Sequence, residues 1–344
     1  MSVRPLSLTP VVIALLAGAV ATSAAACTGA VAVEPSVPPP VAPGPPPPPP
    51  EFIPGSALAG DAGLVDAAIA DAAAGDGDAA QGDAPVTGPK AAATAAACPA
   101  DMVLVDGDYC TELELKCLRS TYAKQNRKTI CHDFKEPSVC TGQKQKKRYC
   151  IDKYEYPNKK GQRPEVMNNF PQAQKLCAGL GKRICTETEW TMACEGPSYK
   201  PYPYGYARDP KKCNGDRPYR NPNVEKTVSS NKAEARAEVE RLWQGVESGS
   251  QPECVSDYGV FDMPGNADEL AASETFSERG KFDNVTTGGP WLDGVRNQCR
   301  PKIYDHNEGF AYYYLSFRCC AEADGKPTDP RSPKQIKRGE RWRP

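Results

Sequence analysis

The chain has 344 residues, of which 40% are hydrophobic and 25% are charged, and its formal net charge at pH 7 is -1. The near-zero net charge does not indicate the excess of basic residues typical of a nucleic-acid-binding protein, so nucleic acid is not an expected partner. The length allows one large domain with a proper core. After the N-terminal segment, no apolar stretch is long enough to span a membrane.

The first 26 residues have the pattern of an export signal. Arg4 gives a short basic start, and residues 11–22 form an apolar run that is too short to span a bilayer. Small residues then precede Cys27, which resembles a bacterial lipoprotein box in which the thiol is lipidated. Ala24 stands where such boxes usually have leucine, and secretion with simple cleavage is the alternative. Thr28 is not aspartate, which by resemblance to lipoprotein sorting favours the outer membrane or cell surface.

Residues 27–97 are predicted to be a disordered tether. Residues 35–50 are mostly proline, which favours extended polyproline II, and residues 51–97 are too low in complexity for a packed core. The basic tail, residues 323–344, is also predicted to be solvated and disordered, with contact to anionic envelope polymers as the alternative. One large domain remains at residues 98–322.

The cysteine count predicts a disulfide framework. The chain has 15 cysteines, and all except Cys27 lie within residues 98–320. An even number in an exported domain is typical of complete pairing. Zinc is the alternative, but the chain has no Cys-x-x-Cys pair and only two histidines. The neighbours Cys319 and Cys320 are expected to have different partners, because a ring between adjacent residues is strained.

Two helices are predicted in the middle of this domain. Asn169 is a good N-cap with Pro171 just after it, and apolar residues then follow at helical spacing. Thr186 and Glu189 form a capping box that begins the second helix, and Gly196 ends it.

A third, weaker helix is predicted over residues 231–243, where many charges indicate a surface insertion. Elsewhere short apolar runs, such as residues 102–105 and 312–317, are broken by Gly, Pro, Asn and Asp. Two helices among many short strands and loops indicate an α+β fold rich in irregular structure, and not a βαβ repeat.

Four motifs lie in a fixed order along the domain. Residues 181–190 read Gly-Lys-Arg-Ile-Cys-Thr-Glu-Thr-Glu-Trp, and residues 259–269 read Gly-Val-Phe-Asp-Met-Pro-Gly-Asn-Ala-Asp-Glu. Gly-Gly-Pro-Trp at 288–291 and Phe-Arg-Cys at 317–319 follow. Together they resemble the formylglycine-generating, sulfatase-modifying enzyme family over about residues 98–320. The resemblance implies the sulfatase-modifying-factor variant of the C-type-lectin fold, stapled by disulfides at Cys177–Cys319 and Cys194–Cys299.

The resemblance also implies a structural calcium site. In the family, a side-chain oxygen, two backbone carbonyls and a glutamate bind the ion, and the same spacing here gives Asp262, Gly265, Ala267 and Glu269. Hard oxygen ligands of this kind suit Ca²⁺. Asn214 and the carbonyl of Gly215 are candidates for beginning a second site. The alternative is a capped loop with solvated carboxylates.

The catalytic positions of the family are not matched. Its active enzymes hold Cu(I) between two cysteines that lie between the Gly-Gly turn and the position of Cys299. Here residues 290–298 read Pro-Trp-Leu-Asp-Gly-Val-Arg-Asn-Gln and include no cysteine. Another branch of the fold binds iron through three histidines, whereas this chain has only His132 and His306. Neither a copper nor an iron site is therefore expected.

The sequence thus predicts a membrane-anchored lipoprotein whose domain is non-catalytic and binds an unknown protein, peptide or glycan. Trp291, Tyr304 and residues 312–314 are aromatic candidates for lining a groove, with core packing as the alternative. The competing hypothesis is a formylglycine-generating oxidase, or a related oxidoreductase, acting on cysteine of exported sulfatases. That enzyme would need at least one unpaired cysteine.

Overall fold

The computed structural model describes residues 97–124, 128–292, 294 and 296–344. The predicted export signal, Cys27 and the tether lie outside these residues. Within them, no helix is both long enough and apolar enough to cross a membrane.

The first sheet is built on the strand that opens the domain. β1 (Met102–Cys110) pairs with β6 (Lys144–Asp152) in an antiparallel ladder along its whole length. β12 (Cys319–Glu322) lies between β6 and β7 (Arg183–Ile184), which gives the order β1-β6-β12-β7. The apolar run at residues 102–105 therefore begins a strand as predicted, and that strand is longer than the run.

The second sheet is almost entirely buried. Its order is β10 (Lys302–Ile303), β9 (Asn284–Thr287), β8 (Asp268–Ala272) and β11 (Leu315–Phe317). β11 runs parallel to β8, and the other pairs are antiparallel. Of the apolar run at residues 312–317, only the last three residues are in a strand.

Two small ribbons complete the strands of the described residues. β2 (Leu113–Glu114) pairs with β5 (Val139–Cys140), and β3 (Cys117–Ala123) pairs with β4 (Lys128–Phe134). β3 is largely exposed, whereas Cys131 and Phe134 of β4 are buried in a cluster with Tyr202. A disulfide between Cys117 and Cys131 joins the two strands.

The helices begin and end where local chemistry dictates. α1 (Phe170–Gly179) has Asn169 as N-cap, and α2 (Glu187–Glu195) has Thr186, each in a complete capping box. Gly196 follows α2 with φ of 66°, a conformation that favours glycine. Both predicted helices are confirmed.

The segment of the chain between α2 and β8 contains two helices. α3 (Val224–Thr227) is a single turn, and α4 (Lys232–Leu242) confirms the third predicted helix. α4 buries only Glu238 and Leu242, which agrees with a surface position. A short 3-10 helix, Glu278–Gly280, precedes β9.

All 14 cysteines of the domain are paired. The seven bridges are Cys98–Cys150, Cys110–Cys140, Cys117–Cys131, Cys177–Cys319, Cys185–Cys320, Cys194–Cys299 and Cys213–Cys254. Both bridges implied by the family resemblance are present. The adjacent cysteines of β12 have different partners, as predicted.

The C-terminal tail differs from the predicted disordered segment. Ser332 caps α5 (Pro333–Arg338), and Gly339 ends it in the left-handed conformation. Arg338 donates to Asp283 at 2.6 Å, and the ammonium of Lys334 is buried against the carbonyls of Gly280 and Phe282. Two of the positive charges that indicated a solvated tail thus bind one carboxylate and two backbone oxygens of the domain.

Candidate functional site

The segment that carries the catalytic cysteines in the family is held by an ion pair here. Arg296 donates to both oxygens of Asp268, at 3.2 and 2.7 Å. Asp268 is 2% exposed, and it also accepts from the backbone N–H of Gly289 at 3.2 Å. The family resemblance aligns residues 265–270, Gly-Asn-Ala-Asp-Glu-Leu, with the family motif Gly-Asn-Ala-Trp-Glu-Trp, so Asp268 stands at the position of its first tryptophan. Two departures from the family therefore meet in one salt bridge.

A cleft of about 570 Å³ opens beside this ion pair. Its lining is strongly basic and contains no carboxylate: Lys128, Thr129, Arg279, Arg296, Arg300, Pro301, Lys302, Ile303 and Tyr304. One wall comes from the start of β4, and the other comes from the chain that leads into and out of β10. We call this space the basic cleft.

Two of its five cations are held from behind by buried carboxylates. Arg296 binds Asp268, and Arg300 binds both oxygens of Glu195 at the end of α2. Arg300 also donates to the backbone carbonyl of Cys110 at 2.8 Å. Burial raises the pKa of Glu195, and its bonds to Arg300 oppose this shift. These arginines are fixed in place but partly neutralised.

The remaining cations have no ion-pair partner among the described carboxylates. Lys128 is exposed, and the guanidinium of Arg279 lies 5.0 Å from the centre of the Tyr304 ring. The ammonium of Lys302 donates only to the carbonyl of Arg300, at 3.4 Å. Burial lowers the pKa of Lys302, and nearby carboxylates raise it again in part. Lys128 and Arg279 therefore leave unpaired positive charge at the cleft, whereas Lys302 lies in the field of Glu187 and Glu195.

Tyr304 connects the cleft to a polar network beneath it. Its hydroxyl donates to Glu187 at 2.5 Å, and burial raises its pKa. Glu187 also accepts the backbone N–H groups of Glu274 and Thr275 at 2.6 and 3.0 Å. Glu187 at the start of α2 therefore holds in position the Tyr304 ring that Arg279 contacts.

The other predicted groove aromatics are mostly core. Trp291 and Tyr313 are 0% and 1% exposed and pack with Leu242 of α4. Trp243 meets Trp291 edge to face, with ring centres 4.5 Å apart. Of the aromatic candidates, only Tyr304 lines the basic cleft.

The predicted calcium residues Asp262, Gly265, Ala267 and Glu269 are all buried. However, Glu269 is occupied: Arg318 donates to its two oxygens at 2.6 and 2.7 Å, and the indole of Trp190 donates at 3.0 Å. Asp262 accepts from the backbone N–H of Gly249 at 2.7 Å. Glu269 therefore does not offer a free carboxylate to a metal.

A third buried carboxylate, Glu155, joins this cluster. It accepts from Ser248 at 2.7 Å and from Asn266 at 2.9 Å. Burial and the neighbouring carboxylates raise the pKa of Glu155 well above its usual value, and burial raises that of Asp262 to about 6. Arg318 donates to Glu269 and lies in the field of the other two carboxylates, and the raised pKa values show that ionising all three together is costly.

The predicted second site adjoins the first. The backbone carbonyl of Asn214 accepts from Asn266 N at 2.8 Å, but the side-chain oxygen of Asn214 accepts from Arg217 at 2.8 Å. Across the described part of the chain, no group of three or more His, Cys, Asp or Glu side chains is arranged to hold a metal. Calcium binding therefore stays a prediction, supported by the cluster of buried carboxylates and opposed by the occupied Glu269.

We expect EDTA to lower the melting temperature and added Ca²⁺ to restore it, because a divalent cation would stabilise the ionised forms of these buried carboxylates. Differential scanning calorimetry of the chain with EDTA and with CaCl₂ measures this. MgCl₂ is the matched control, since Mg²⁺ is smaller and prefers stricter geometry. A melting temperature that does not respond to Ca²⁺ would remove the site.

The comparison with protein families decides what this domain is. Residues 119–323 match the family described as sulfatase-modifying factor enzyme 1-like domain, which is more than half of the chain. The chain belongs to this family. The resemblance drawn from the motifs is confirmed, and so is the α+β, disulfide-stapled fold that it implied.

Two relatives carry the name inactive C-alpha-formylglycine-generating enzyme 2. The Bos taurus protein is 26% identical over 170 residues, which is 48% of this chain and 52% of the relative. The Mus musculus protein is 25% identical over 172 residues, which is 48% of this chain and 51% of the relative. This chain therefore spans about half the length of both relatives.

Solved structures similar to this sulfatase-modifying-factor domain include PvdO from Pseudomonas aeruginosa and CarF. PvdO is 14% identical with a TM-score of 0.39, and the match covers 64% of this chain and 94% of PvdO. CarF is also 14% identical with a TM-score of 0.40, over 67% of this chain and 99% of CarF.

Sequence reasoning missed the basic cleft. Arg296, Arg300 and Lys302 are close together in sequence, but a near-neutral chain gives no sign that their charges converge. Arg279 and Lys128 come from distant segments, which only the tertiary fold brings to the same place. The available signal was local: three basic residues lie at or just beyond the segment where the family has its cysteine pair.

Proposed function

We propose that this chain is an envelope-anchored, non-catalytic sulfatase-modifying-factor protein that binds a ligand. The observation that carries the proposal is the state of the cysteines. Residues 290–298 include no cysteine, and every cysteine from Cys98 to Cys320 is in a disulfide. A thiolate pair, which the copper chemistry of the family uses, is therefore not offered by the domain in this oxidation state.

The Arg296–Asp268 ion pair supports the same proposal. A bidentate pair with a buried carboxylate and a partly buried guanidinium stands where the family has the aromatic residue and the cysteine segment. Losing one partner of such a pair would strand a buried charge, so the segment is held in this arrangement. The two relatives named inactive are consistent with a domain that keeps the fold without the oxidation.

Membrane attachment is part of the proposal and rests on the N-terminal sequence. Cys27 follows an apolar run and small residues, and lipidation there would tether the domain through the proline-rich segment. Seven disulfides in one domain favour an oxidising compartment, as an exported protein has. We propose the outer membrane or cell surface as the location.

Non-reducing peptide mass spectrometry combined with an oxidation assay tests the proposal. We expect seven bridges with no free thiol in residues 98–320, and no conversion of a cysteine-containing sulfatase peptide when copper is supplied. An active formylglycine-generating enzyme under the same conditions is the positive control. Free Cys299, or a free thiol pair near it, together with peptide conversion would instead establish the competing oxidase.

A further inference from the structure

The basic cleft carries an inference about the ligand, which rests on the proposed binding function and deepens it. We propose that the cleft binds a phosphate or sulfate ester group carried on a small polar molecule of about the size of a sugar. The argument uses the charge of the lining, the way the cations are held, and the volume of the cleft.

The lining charge is of one sign. Five side chains of the lining are cationic, and none is a carboxylate. A cleft lined by one sign of charge focuses its field and concentrates the opposite ion. The whole chain has a net charge of -1, so this local concentration of cations does not follow from the overall composition.

The buried carboxylates behind the cleft position its arginines. Asp268 and Glu195 each bind a guanidinium from the protein side and are themselves nearly unexposed. Arg296 uses two N–H groups for Asp268, and a guanidinium has five, so donors remain. Arginines fixed in this way lose little further freedom when they bind an oxyanion.

The cations without an ion-pair partner favour an anionic ligand. Lys128, Arg279 and Lys302 have no ion-pair partner among the described carboxylates, and the Tyr304 ring holds Arg279 in place through a cation–π contact. These cations match the anionic oxygens of a phosphate ester or a sulfate ester better than a neutral ligand. Charge-assisted hydrogen bonds to these oxygens are the strong ones.

The volume indicates that the anion is part of a larger molecule. A cleft of about 570 Å³ lies within the range of about 300–1,000 Å³ that small-molecule sites occupy. A free ion would leave most of it filled with water. The backbone and side chains of Thr129, Pro301 and Ile303 provide the less charged part of the lining.

Isothermal titration calorimetry on the full-length chain in detergent tests the inference, with glucose 6-phosphate, glucose 6-sulfate and uncharged glucose as probes. We expect at least one ester to bind and glucose not to bind, and the stronger ester identifies which oxyanion the cleft prefers. Arg279→Gln should weaken that ester about tenfold or more, because it removes a charged donor. Lys302→Gln should also weaken it.

Arg236→Gln is the matched control, because Arg236 is an exposed arginine of α4 that is absent from the cleft lining. The Arg236→Gln protein should bind the ester with the same affinity as the unchanged chain. No heat from either ester, equal binding of glucose, or an equal loss in Arg236→Gln would overturn the inference. Those results would leave the disulfide and oxidation assays unchanged, so the non-catalytic proposal stands or falls separately.

Discussion

Replacing Arg318 by glutamine should destabilise the domain by about 3–5 kcal/mol, the cost of removing one partner of a buried ion pair. Arg318 and Glu269 are both 0% exposed and are joined by two short hydrogen bonds. Glu155 and Asp262 also interact electrostatically with Arg318, so its loss would make ionisation of these buried carboxylates still more costly. Urea unfolding at pH 7 measures the change.

Two further variants make this result interpretable. Arg119→Gln removes the same charge from an exposed pair with Asp133, where the side chains are 65% and 37% exposed, so its effect should be below about 1 kcal/mol. Glu269→Gln added to Arg318→Gln should recover part of the loss, because it removes the stranded negative charge. An Arg318→Gln protein as stable as the unchanged chain would show that water or protonation already neutralises this cluster.

The second large effect concerns the two bridges of β12. Cys177–Cys319 and Cys185–Cys320 link the same two regions of the chain, with sequence separations of 142 and 135 residues. While one bridge remains, the other closes only the short loop between the two bridges. Removing either one should therefore lower the free energy of unfolding by about 3 kcal/mol. Removing both opens a much longer loop, and the combined loss should exceed the sum of the single losses by about 1–2 kcal/mol.

Alanine pairs at each bridge, and then at both, would be compared by urea unfolding under oxidising conditions. The bridge of the β3–β4 ribbon, Cys117–Cys131, is the control, because it shares no loop with the other two. Its removal should add to either single loss without interaction. If the free-energy losses of the two β12 bridges simply add, the two bridges do not close the same loop.

Local signals predicted the helices of this domain well. The caps at Asn169, Thr186 and Asn231 specify where helices begin, because their side chains satisfy backbone N–H groups within the same turn. The motifs identified the family because they recur at fixed order. Neither inference needed information about contacts between distant segments.

The tail and the candidate site depended on distant partners. The sequence predicted a solvated tail that includes Lys334 and Arg338. In the structure, Lys334 donates to carbonyls at and just after the 3-10 helix, and Arg338 donates to Asp283. Likewise, spacing alone gives Glu269 as a calcium ligand and cannot show that Arg318 binds both of its oxygens, so the calcium prediction stays untested. A charged residue is assigned to solvent, metal or ion pair only by its neighbours in the fold.

The adjacent cysteines of β12 also fix the alignment of that strand. Neighbouring side chains of a strand point to opposite faces, and Cys319 and Cys320 accordingly belong to two different apolar cores. A slip of β12 by one residue would exchange these faces, and most sheets prevent such slips only by the cost of exposing apolar groups. Here the slip would require two covalent bonds to break, so the strand that ends the matched family domain has a single permitted register.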